Sequence, residues 1–319
     1  MNAVRHDWSV KEARALHDLP LFELVDKARA LHREHHPEQE VQLCSLLSVK
    51  TGGCPENCSY CPQSSHYDTA VKGERMMKVD EVLEAARTAK DHGATRFCMG
   101  AAWREVKDGE AFDRVIAMVR GVKELKMEAC VTLGMLSGDQ ALRLKEAGLD
   151  AYNHNIDTSA GYYKSIITTR EQSARFKTLQ NVRDAGITVC CGGIIGMGES
   201  IDDRCAMLVS LATLEQHPES VPINALVRVP GTPMENLPPI DSMEFVRMIS
   251  LARILMPNAK VRLSAGRTEL SREAQLLCLY AGANSIFYGD TLLTTPNPDL
   301  SEDQRLIESA GLKVQAPGR

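Results

Sequence analysis

The segment VDEVLEAARTAKDHGATRFCMGA, residues 79–101, combines the two structural units that this chain repeats. Its first part is amphipathic, with apolar and charged residues spaced at helical period, and it finishes at Gly93. Glycine is the residue expected just past a helix C-terminus, because it adopts a positive φ without strain. The second part, TRFCMGA, is short and largely apolar, as strands buried in a sheet are. The segment therefore predicts a helix followed by a strand.

The same alternation extends from about residue 41 to residue 290. Seven amphipathic segments separate eight strand candidates, and further helical segments finish at Gly148, Gly186 and Gly282. The strand candidates are VQLCSLLSV, TRFCMGA, MEACVTLG, DAYNHNID, TVCCGGII, PINALVRV, KVRLSAG and NSIFYGD. Because the return to a parallel strand requires a crossover, this order predicts a parallel sheet. Eight such units over about 250 residues predict an α/β fold, the TIM-type (β/α)8 barrel, with an open doubly wound sheet as the alternative.

The two ends of the chain lie outside this alternation. Residues 1–40 have a helical pattern and predict an N-terminal helical extension before the barrel of residues 41–290. Residues 291–319 begin with a proline-containing loop, TTPNPDL, and continue in a short helix from Ser301. We expect this C-terminal loop and helix to pack on the barrel.

Composition limits the classes of partner. The 319 residues carry a formal net charge of −5 without a basic block, so nucleic acid is not an expected partner. The apolar stretches fall short of the roughly 20 residues that span a bilayer, and the N-terminus, MNAVRHDWSVKEAR, lacks the apolar centre of a signal peptide. These features predict a cytoplasmic protein without membrane segments. Two of its ten cysteines, Cys205 and Cys278, lie in helical patterns and are expected to be core residues.

Three cysteines lie within KTGGCPENCSYCPQSSHY, residues 50–67, among residues typical of turns. In a reducing compartment, metal binding explains such a loop better than disulfides do. Cys54, Cys58 and Cys61 would leave one iron of a 4Fe–4S cluster without a protein ligand. That iron is then open to a small molecule that chelates it through an amine and a carboxylate. A zinc loop completed by a remote ligand such as His66 is the alternative.

Three further cysteines occupy strand candidates. Because strand side chains alternate between faces, Cys98, Cys130 and Cys190 all fall on the face away from the helices, toward the barrel interior. The same test places Arg262 of KVRLSAG inside. An arginine inside a barrel is unfavourable unless an anion accompanies it, and thiolates holding a second metal–sulfide cluster would supply that anion. Without such a cluster these side chains are three inert thiols and one ion-paired arginine, and both interpretations stay open here.

Polar side chains also share one face of a strand candidate. In YNHNID, residues 152–157, alternation places Asn153, Asn155 and Asp157 together, and Asn224 of PINALV faces inward as well. Buried polar groups must hydrogen-bond to a partner. Carboxamides carry both donors and acceptors, so they suit a urea-type ring or ribose hydroxyls. An internal polar network without a ligand is the alternative.

The cysteine spacing of the loop, with the aromatic Tyr60 before its last cysteine, resembles the signature of the radical S-adenosylmethionine (SAM) superfamily. Over nearly its whole length the chain is similar to the biotin synthase family. The similar segments are LLSVKTGGCPENCSYCPQSSHY, RFCMGAAWRE, EACVTLGML, YNHNIDTS, ITTREQSARFKTL, GGIIGMGE, NALVRVPGTP and VRLSAGR. The resemblance implies a sulfurtransferase that converts dethiobiotin to biotin. In such enzymes a 4Fe–4S cluster cleaves SAM, a 5′-deoxyadenosyl radical removes hydrogen from a saturated carbon, and a 2Fe–2S cluster donates the sulfur.

The resemblance also assigns roles to residues by position. The 4Fe–4S cluster would be held by Cys54, Cys58 and Cys61, and the 2Fe–2S cluster by Cys98, Cys130, Cys190 and Arg262. SAM would contact Tyr60, Ala101, Asn155, Asp157 and Arg175, and dethiobiotin would contact Asn153, Asn155 and Asn224. Cys191 departs from the family pattern, and its opposite facing favours Cys190 as the ligand. The glycines of GGIIGMGE are expected to let SAM approach the backbone closely.

The family resemblance further implies a homodimer that receives electrons from a reduced flavodoxin- or ferredoxin-type protein. Two other functions remain as alternatives. One is a different radical SAM barrel enzyme, resembling those of hydrogenase maturation or thiazole formation. The other is an iron–sulfur electron carrier without a substrate, which would not need an open iron or inward carboxamides.

Overall fold

The computed structural model describes residues 4–289 and 291–316. Its α-helices are α1 (Val10–His17), α2 (Leu21–His35), α3 (Val79–Asp91), α4 (Glu110–Glu124), α5 (Gly138–Glu146), α6 (Ala160–Ile166), α7 (Gln172–Asp184), α8 (Ile201–Ala212), α9 (Ser242–Leu255), α10 (Arg272–Ala281) and α11 (Leu300–Ser309). Its strands are β1 (Glu40–Lys50), β2 (Arg96–Ala101), β3 (Glu128–Thr132), β4 (Ala151–Asn153), β5 (Thr188–Cys190), β6 (Gly193–Ile195), β7 (Ser220–Ala225), β8 (Lys260–Leu263), β9 (Ser285–Phe287), β10 (Thr291–Leu292), β11 (Thr295–Pro296) and β12 (Lys313–Val314).

Strands β1 to β9 form a closed barrel of parallel strands. Their order around the barrel is β1-β2-β3-β4-β5-β7-β8-β9, and β9 pairs with β1 again. The short strand β6 continues the path of β5 and also pairs with β7. The predicted (β/α)8 barrel is confirmed. The open sheet is excluded, because it would leave β1 and β9 as unpaired edges.

Glycines end four of the helices between these strands, as the sequence predicts. Gly93, Gly148 and Gly186 follow α3, α5 and α7 with φ values of 95°, 93° and 69°. Gly282 caps α10 with a φ of 116°. Each turns the chain back toward the next strand, because a left-handed residue ends the helical hydrogen-bond pattern.

Alternation along the strands separates two groups of buried side chains. Phe97 and Met99 of β2 pack in the main core between the sheet and the helices. Cys98 and Cys130 belong to a different cluster inside the barrel. Cys191 lies in the main core, so its predicted outward facing is confirmed. Cys205 and Cys278 are also core residues, as expected.

The ends of the chain pack on the barrel and its helices. Helix α2 contacts α9 and α10, and α1 contacts α8 and α9. At the other end, β12 pairs in parallel with the first two residues of β1. The predicted C-terminal helix is α11, which begins at Leu300. None of the helices within the described ranges is both long enough and apolar enough to cross a membrane.

The sequence did not predict α6, the β10–β11 hairpin or β12. Helix α6 has seven residues, and each of the three strands has two. Segments this short contain too few residues for a hydrophobic period to be recognised. Their positions therefore depend on the contacts that they make in the folded chain.

Two glycines of GGIIGMGE are required by contacts within the protein. A Cβ on Gly192 would lie 1.9 Å from the carbonyl oxygen of Pro222 in β7, and one on Gly193 would lie 2.0 Å from Sδ of Met207 in α8. Both distances are far inside van der Waals contact. These two residues therefore allow the β5–β6 segment to pack against its neighbours, and close approach of SAM is not needed to explain them.

Gly192→Ala should lower the free energy of unfolding by at least about 2 kcal/mol, because the added methyl group meets backbone that cannot rotate away. Chemical denaturation of the purified chain measures this change. Gly138→Ala is the matched control, since its Cβ would have no neighbour within 4 Å. The control should change stability by less than about 1 kcal/mol. Equal stabilities of the two variants would contradict the packing argument.

Candidate active site

A cavity of about 240 Å³ lies at the carboxyl ends of the barrel strands. This is the end at which barrel enzymes carry their active sites. Nine of the predicted site residues line it: Tyr60, Cys61, Cys98, Cys130, Asn153, Asn155, Asp157, Asn224 and Arg262. The other five do not belong to its lining: Cys54, Cys58, Ala101, Arg175 and Cys190. The barrel thus brings both predicted cysteine groups to one cavity.

The cysteine loop follows β1 and is held in tight turns by its own backbone. The Cys61 amide donates to the Cys58 carbonyl at 2.9 Å, and the Cys54 amide donates to the Gln63 carbonyl at 2.9 Å. Gly52 has a φ of 66°, and a Cβ there would lie 2.5 Å from the carbonyl oxygen of Lys72. The turn residues of this segment therefore form a compact loop, as the sequence predicts.

Asn57 anchors the loop to the segment after α6. Its Oδ1 accepts hydrogen bonds from the backbone amides of Thr168 and Thr169, at 3.0 and 3.2 Å. The amide of Ser59 donates to the carbonyl of Ile166 at 3.0 Å. The sequence analysis missed this role of Asn57, because its partners lie 111 and 112 residues away in the chain.

Burial makes the loop thiols weaker acids than an exposed cysteine. It raises the pKa of Cys58 to about 12 and that of Cys61 to about 11, and it also raises the pKa of Cys54. Such thiols become thiolates when a cation binds and stabilises the charge. His66, the ligand that the zinc alternative invokes, places its Nε2 3.0 Å from the carbonyl oxygen of Pro55.

Asp157 is the centre of a buried polar network beside the loop. Its carboxylate forms an ion pair with Arg175 and accepts a hydrogen bond from the Tyr60 hydroxyl at 2.9 Å. Arg175 also donates to the Tyr163 hydroxyl at 2.9 Å and to the Asn155 carbonyl at 2.6 Å. Burial opposes the positive charge of Arg175, but the carboxylate of Asp157 raises its pKa. Asp157 has a φ of 67°, a left-handed conformation that non-glycine residues rarely adopt outside constrained sites.

The predicted substrate carboxamides are held in place by the barrel strands. Asn224 donates to the Gly193 carbonyl at 2.9 Å and accepts from the Ala265 amide at 3.1 Å. Asn153 donates through Nδ2 to Sγ of Cys190 at 3.2 Å. These contacts fix the orientation of both side chains at the cavity wall.

The second group of thiols lies deeper in the barrel. Cys98 and Cys130 occupy paired positions on β2 and β3 and share a hydrogen bond between their side chains. This bond raises the pKa of Cys98 and lowers that of Cys130, so Cys130 is the first of the pair to ionise. Sγ of Cys190 accepts from Nη1 of Arg262 at 3.4 Å.

Arg262 is fully buried, and one of its hydrogen-bond donors has no partner among the described residues. Its Nε donates to the Ser285 hydroxyl at 2.9 Å, and its guanidinium lies 4.9 Å from the ring centroid of Phe287. Its Nη2 is buried without a hydrogen-bond partner in the structure. Burial opposes the charge of Arg262, but electrostatic interaction with the Cys44 and Cys190 side chains raises its pKa. An anion inside the barrel would satisfy this arginine.

The sequence analysis missed one interior thiol, Cys44 of β1. This side chain is fully buried and belongs to the same interior cluster as Cys98 and Cys130. The alternation of VQLCSLLSV could have revealed it, because the strand-parity test that was used for the other cysteines applies equally to this segment.

Known proteins match the chain along most of its length. The model of the radical SAM superfamily matches residues 48–211, and that of the biotin and thiamin synthesis associated domain matches residues 222–313. Biotin synthase of Sorangium cellulosum (strain So ce56) is 73% identical over 99% of this chain and 90% of its own length. Biotin synthase of Myxococcus xanthus (strain DK1622) is 62% identical over 98% of this chain and 91% of its own length. The chain belongs to the biotin synthase family.

Solved structures with the same fold share less sequence identity with this chain than these biotin synthases do. Methylornithine synthase superposes with a TM-score of 0.80 at 21% identity, covering 97% of this chain and 94% of its own. The FeFe-hydrogenase maturase of Carboxydothermus hydrogenoformans superposes with a TM-score of 0.78 at 16% identity, covering 96% of this chain and 75% of its own. These likenesses establish the barrel fold.

Membership in the biotin synthase family implies two iron–sulfur clusters. The side chains at the site are of the chemical type that binds such clusters. Thiolates are the usual ligands of iron–sulfur clusters, and both groups consist mainly of cysteines. The unpartnered Nη2 of Arg262 fits the anionic character of a cluster bound by thiolates. As the side chains stand, no three His, Cys, Asp or Glu residues within the described ranges are close enough to hold a single metal ion.

In the iron-free protein, alkylation of Cys58 and Cys61 by iodoacetamide should rise about tenfold per pH unit between about pH 7 and pH 10. The reason is that the thiolate reacts and that their pKa values, about 12 and 11, lie above the unperturbed value of about 8.5. Peptide mapping by mass spectrometry measures both rates. An unstructured peptide with one cysteine is the control, and its rate should level off as the pH rises above its pKa of about 8.5. If the rates of the loop thiols level off at the same pH as the control, their burial is contradicted.

Asp157→Asn should lower the free energy of unfolding by about 3–5 kcal/mol, because it leaves the charge of Arg175 buried without a counterion. Asparagine tolerates a positive φ, so the backbone strain at this position stays the same. Chemical denaturation measures the effect. Glu110→Gln, which breaks an exposed pair with Arg114, is the control and should cost less than about 1 kcal/mol. A similar small loss for both variants would disprove the importance of the buried pair.

Proposed function

We propose that this chain is a biotin synthase, a radical SAM enzyme that inserts sulfur into dethiobiotin to form biotin through a 5′-deoxyadenosyl radical. Family membership at 73% identity supports the reaction. The observation that carries the proposal is the single cavity that joins the loop residues Tyr60 and Cys61 to the interior residues Cys98, Cys130 and Arg262. A reaction that uses two clusters on one substrate needs such a shared space.

The proposed cluster ligands are those that the family resemblance implies. Cys54, Cys58 and Cys61 would hold a 4Fe–4S cluster, and Cys98, Cys130, Cys190 and Arg262 would hold a 2Fe–2S cluster. When bound, the first cluster supplies the electron that cleaves SAM and the second supplies sulfur. Three thiolates in the loop leave a position for SAM, and burial of the interior thiols keeps water from the sulfur source.

SAM is proposed to lie between the loop and the end of β4. Tyr60, Asn155 and Asp157 line this part of the cavity. Arg175 would act by holding the carboxylate of Asp157 and the backbone carbonyl of Asn155 in place. Ala101 packs with the apolar core, so its contact with SAM would be through the backbone end of β2.

Dethiobiotin is proposed to lie deeper, against Asn153, Asn155 and Asn224. These carboxamides offer donors and acceptors suited to its ureido ring. Apolar residues form much of the remaining wall: Leu46, Ile194, Leu226, Phe287, Leu292 and Leu293. Apolar walls exclude water and keep a carbon radical away from side reactions.

The finer assignments of partners and organisation belong to the same proposal. We infer a cytoplasmic homodimer that takes electrons from a reduced flavodoxin- or ferredoxin-type protein. The proposed division is a helical extension of residues 1–40, a barrel of residues 41–290, and a C-terminal loop and helix of residues 291–319.

Anaerobic reconstitution of the clusters, with dethiobiotin, SAM and a strong reductant, should give both 5′-deoxyadenosine and biotin. Mass spectrometry quantifies the two products. Cys54→Ala should abolish both, because the loop then lacks one of its three thiolates. Cys278→Ala, which removes a thiol from α10 in the main core, is the control and should retain both products.

Two other outcomes would each contradict one part of the proposal. Deoxyadenosine without biotin would keep the radical chemistry and exclude dethiobiotin as the substrate. If a chain that is fully loaded with iron forms neither product, this result would contradict the proposed open iron and favour an electron carrier.

A further inference from the structure

A buried carboxylate in the cysteine loop is not part of the cavity wall and has no role in the proposed function so far. Glu56, in the middle of the segment 54–58, is 2% exposed. Its Oε2 accepts a hydrogen bond from the hydroxyl of Thr169. Its Oε1 lies 3.5 Å from Nε of Arg104 and 3.8 Å from Nε of Arg170. The carboxylate thereby connects the loop to one arginine that follows β2 and to another that follows α6.

The two arginines differ in burial. The side chain of Arg104 is 39% exposed, and its Nη1 donates to the Thr169 carbonyl at 3.0 Å. The side chain of Arg170 is only 9% exposed. Water and salt screen an exposed charge, whereas a charge that is removed from water acts more strongly on its neighbours. The charge of Arg170 therefore has the greater influence on its surroundings.

Arg170 also has donors that its ion pair does not use. Its Nε and Nη1 are buried and have no hydrogen-bond partner among the described residues, and the same holds for Oε1 of Glu56. Buried polar atoms of this kind are unfavourable, because they lose their hydrogen bonds to water. Arg175, by contrast, donates to three oxygen atoms. The hydrogen bonds of Arg170 do not account for its burial, and its charge is the property that needs an explanation.

The charge of Arg170 reaches the loop thiols. Burial raises the pKa of Cys54 and that of Cys58, and the positive charge of Arg170 acts against burial at both thiols. The negative charge of Glu56 has the opposite effect and contributes to the raised pKa of Cys54. The arginine and the carboxylate thus exert opposite electrostatic effects on the same end of the loop.

A cluster bound by the loop would experience the same charges as the thiols that hold it. Uptake of one electron makes an iron–sulfur cluster more negative, and a nearby positive charge stabilises this reduced state. Net charge and surroundings are among the properties by which a protein sets the reduction potential of a cluster. The proposed reaction requires such an electron at the loop cluster before SAM is cleaved.

We propose that the buried charge of Arg170 stabilises the reduced state of the cluster that the loop cysteines would hold, and that Glu56 positions this charge against the loop. One electron passes from the reduced donor protein to the cluster, and Arg170 keeps its proton throughout. Arg170 thereby favours electron uptake without taking part in bond cleavage. This inference rests on the proposed function, since it requires the loop to hold the cluster.

The alternative is a structural ion pair that only joins the loop to the segment after α6. Arg104 is the better candidate for that role, because it lies closer to Glu56 and donates to the Thr169 carbonyl. Removal of either charge of a structural pair would loosen the loop in the same way. Removal of an electrostatic influence would instead act in opposite directions for the arginine and for the carboxylate.

The test is an anaerobic redox titration of the full chain with both clusters reconstituted, without SAM or dethiobiotin. Low-temperature electron paramagnetic resonance measures the ratio of reduced to oxidised 4Fe–4S cluster at each potential, and iron and sulfide analysis measures the loading. Arg170→Gln, Arg170→Lys and Glu56→Gln are compared with the unaltered chain. Arg104→Gln is the matched control, because it removes a more exposed arginine from the same carboxylate.

Arg170→Gln should lower the ratio of reduced to oxidised cluster about tenfold at a fixed potential, which corresponds to a reduction potential about 59 mV lower for one electron. Arg170→Lys keeps the charge and should restore most of the ratio. Glu56→Gln should raise the ratio, because the charge of Arg170 is then unopposed. Arg104→Gln should change it by less than about threefold, since water and salt screen its charge.

An unchanged ratio in Arg170→Gln would overturn the proposal. A ratio that falls in both Arg170→Gln and Glu56→Gln would also overturn it, because a structural ion pair predicts this result. The same holds if Arg104→Gln lowers the ratio as much as Arg170→Gln does. If Arg170→Gln does not fold or does not bind iron, Glu56→Gln decides: a raised ratio supports the proposal, and an unchanged or lowered ratio overturns it.

Product analysis of the unaltered chain separates this inference from the function on which it rests. If the loop binds no cluster, the proposed function and this inference fail together. If the cluster forms but no 5′-deoxyadenosine is made, the proposed function fails and the titration still decides the role of Arg170. If both products form and Arg170→Gln keeps the potential of the unaltered chain, this inference fails and the proposed function stands.

Discussion

The pairing of β1 with β9 is the contact on which the rest of the molecule depends. Gln42, Leu43 and Cys44 pair in register with Ser285, Ile286 and Phe287, and this pairing closes the sheet. A closed sheet has no free edge and encloses an interior that is separate from solvent. Closure also gathers the carboxyl ends of the strands around one opening. The cysteine loop after β1 and the thiols inside the barrel therefore share one cavity.

Two buried arginines near the cavity, Arg175 and Arg262, have different kinds of partner. Arg175 has a carboxylate partner, Asp157, and forms a complete network with Tyr60 and Tyr163. Arg262 has a hydroxyl group and a sulfur atom as partners, and one of its nitrogens has none. A buried cation without a carboxylate is unfavourable unless another anion is bound. This contrast fits the proposal of a small polar ligand beside Asp157 and of a cluster beside Arg262.

Most of the cysteines with a shifted pKa at the site are weaker acids than free cysteine. Burial raises the pKa of the loop thiols Cys58 and Cys61, and the hydrogen bond with Cys130 together with burial raises that of Cys98. Cluster binding must therefore remove protons from thiols that would otherwise keep them. Burial disfavours ionisation of the thiols in the iron-free protein, and it also excludes water from a cluster that is bound there.

The sequence by itself determined the barrel and most of its inward residues. Seven helical segments between eight strands leave few possible arrangements, and a strand period of two assigned Cys98, Cys130, Cys190 and Arg262 to one face. Tertiary structure alone decided that Asn57 anchors the loop to Thr168 and Thr169. It also decided that Cys44 meets Ser285, 241 residues away, beside Arg262. Periodicity assigns a side chain to a face, but its neighbours are set by strand register and barrel closure, which join distant parts of the chain.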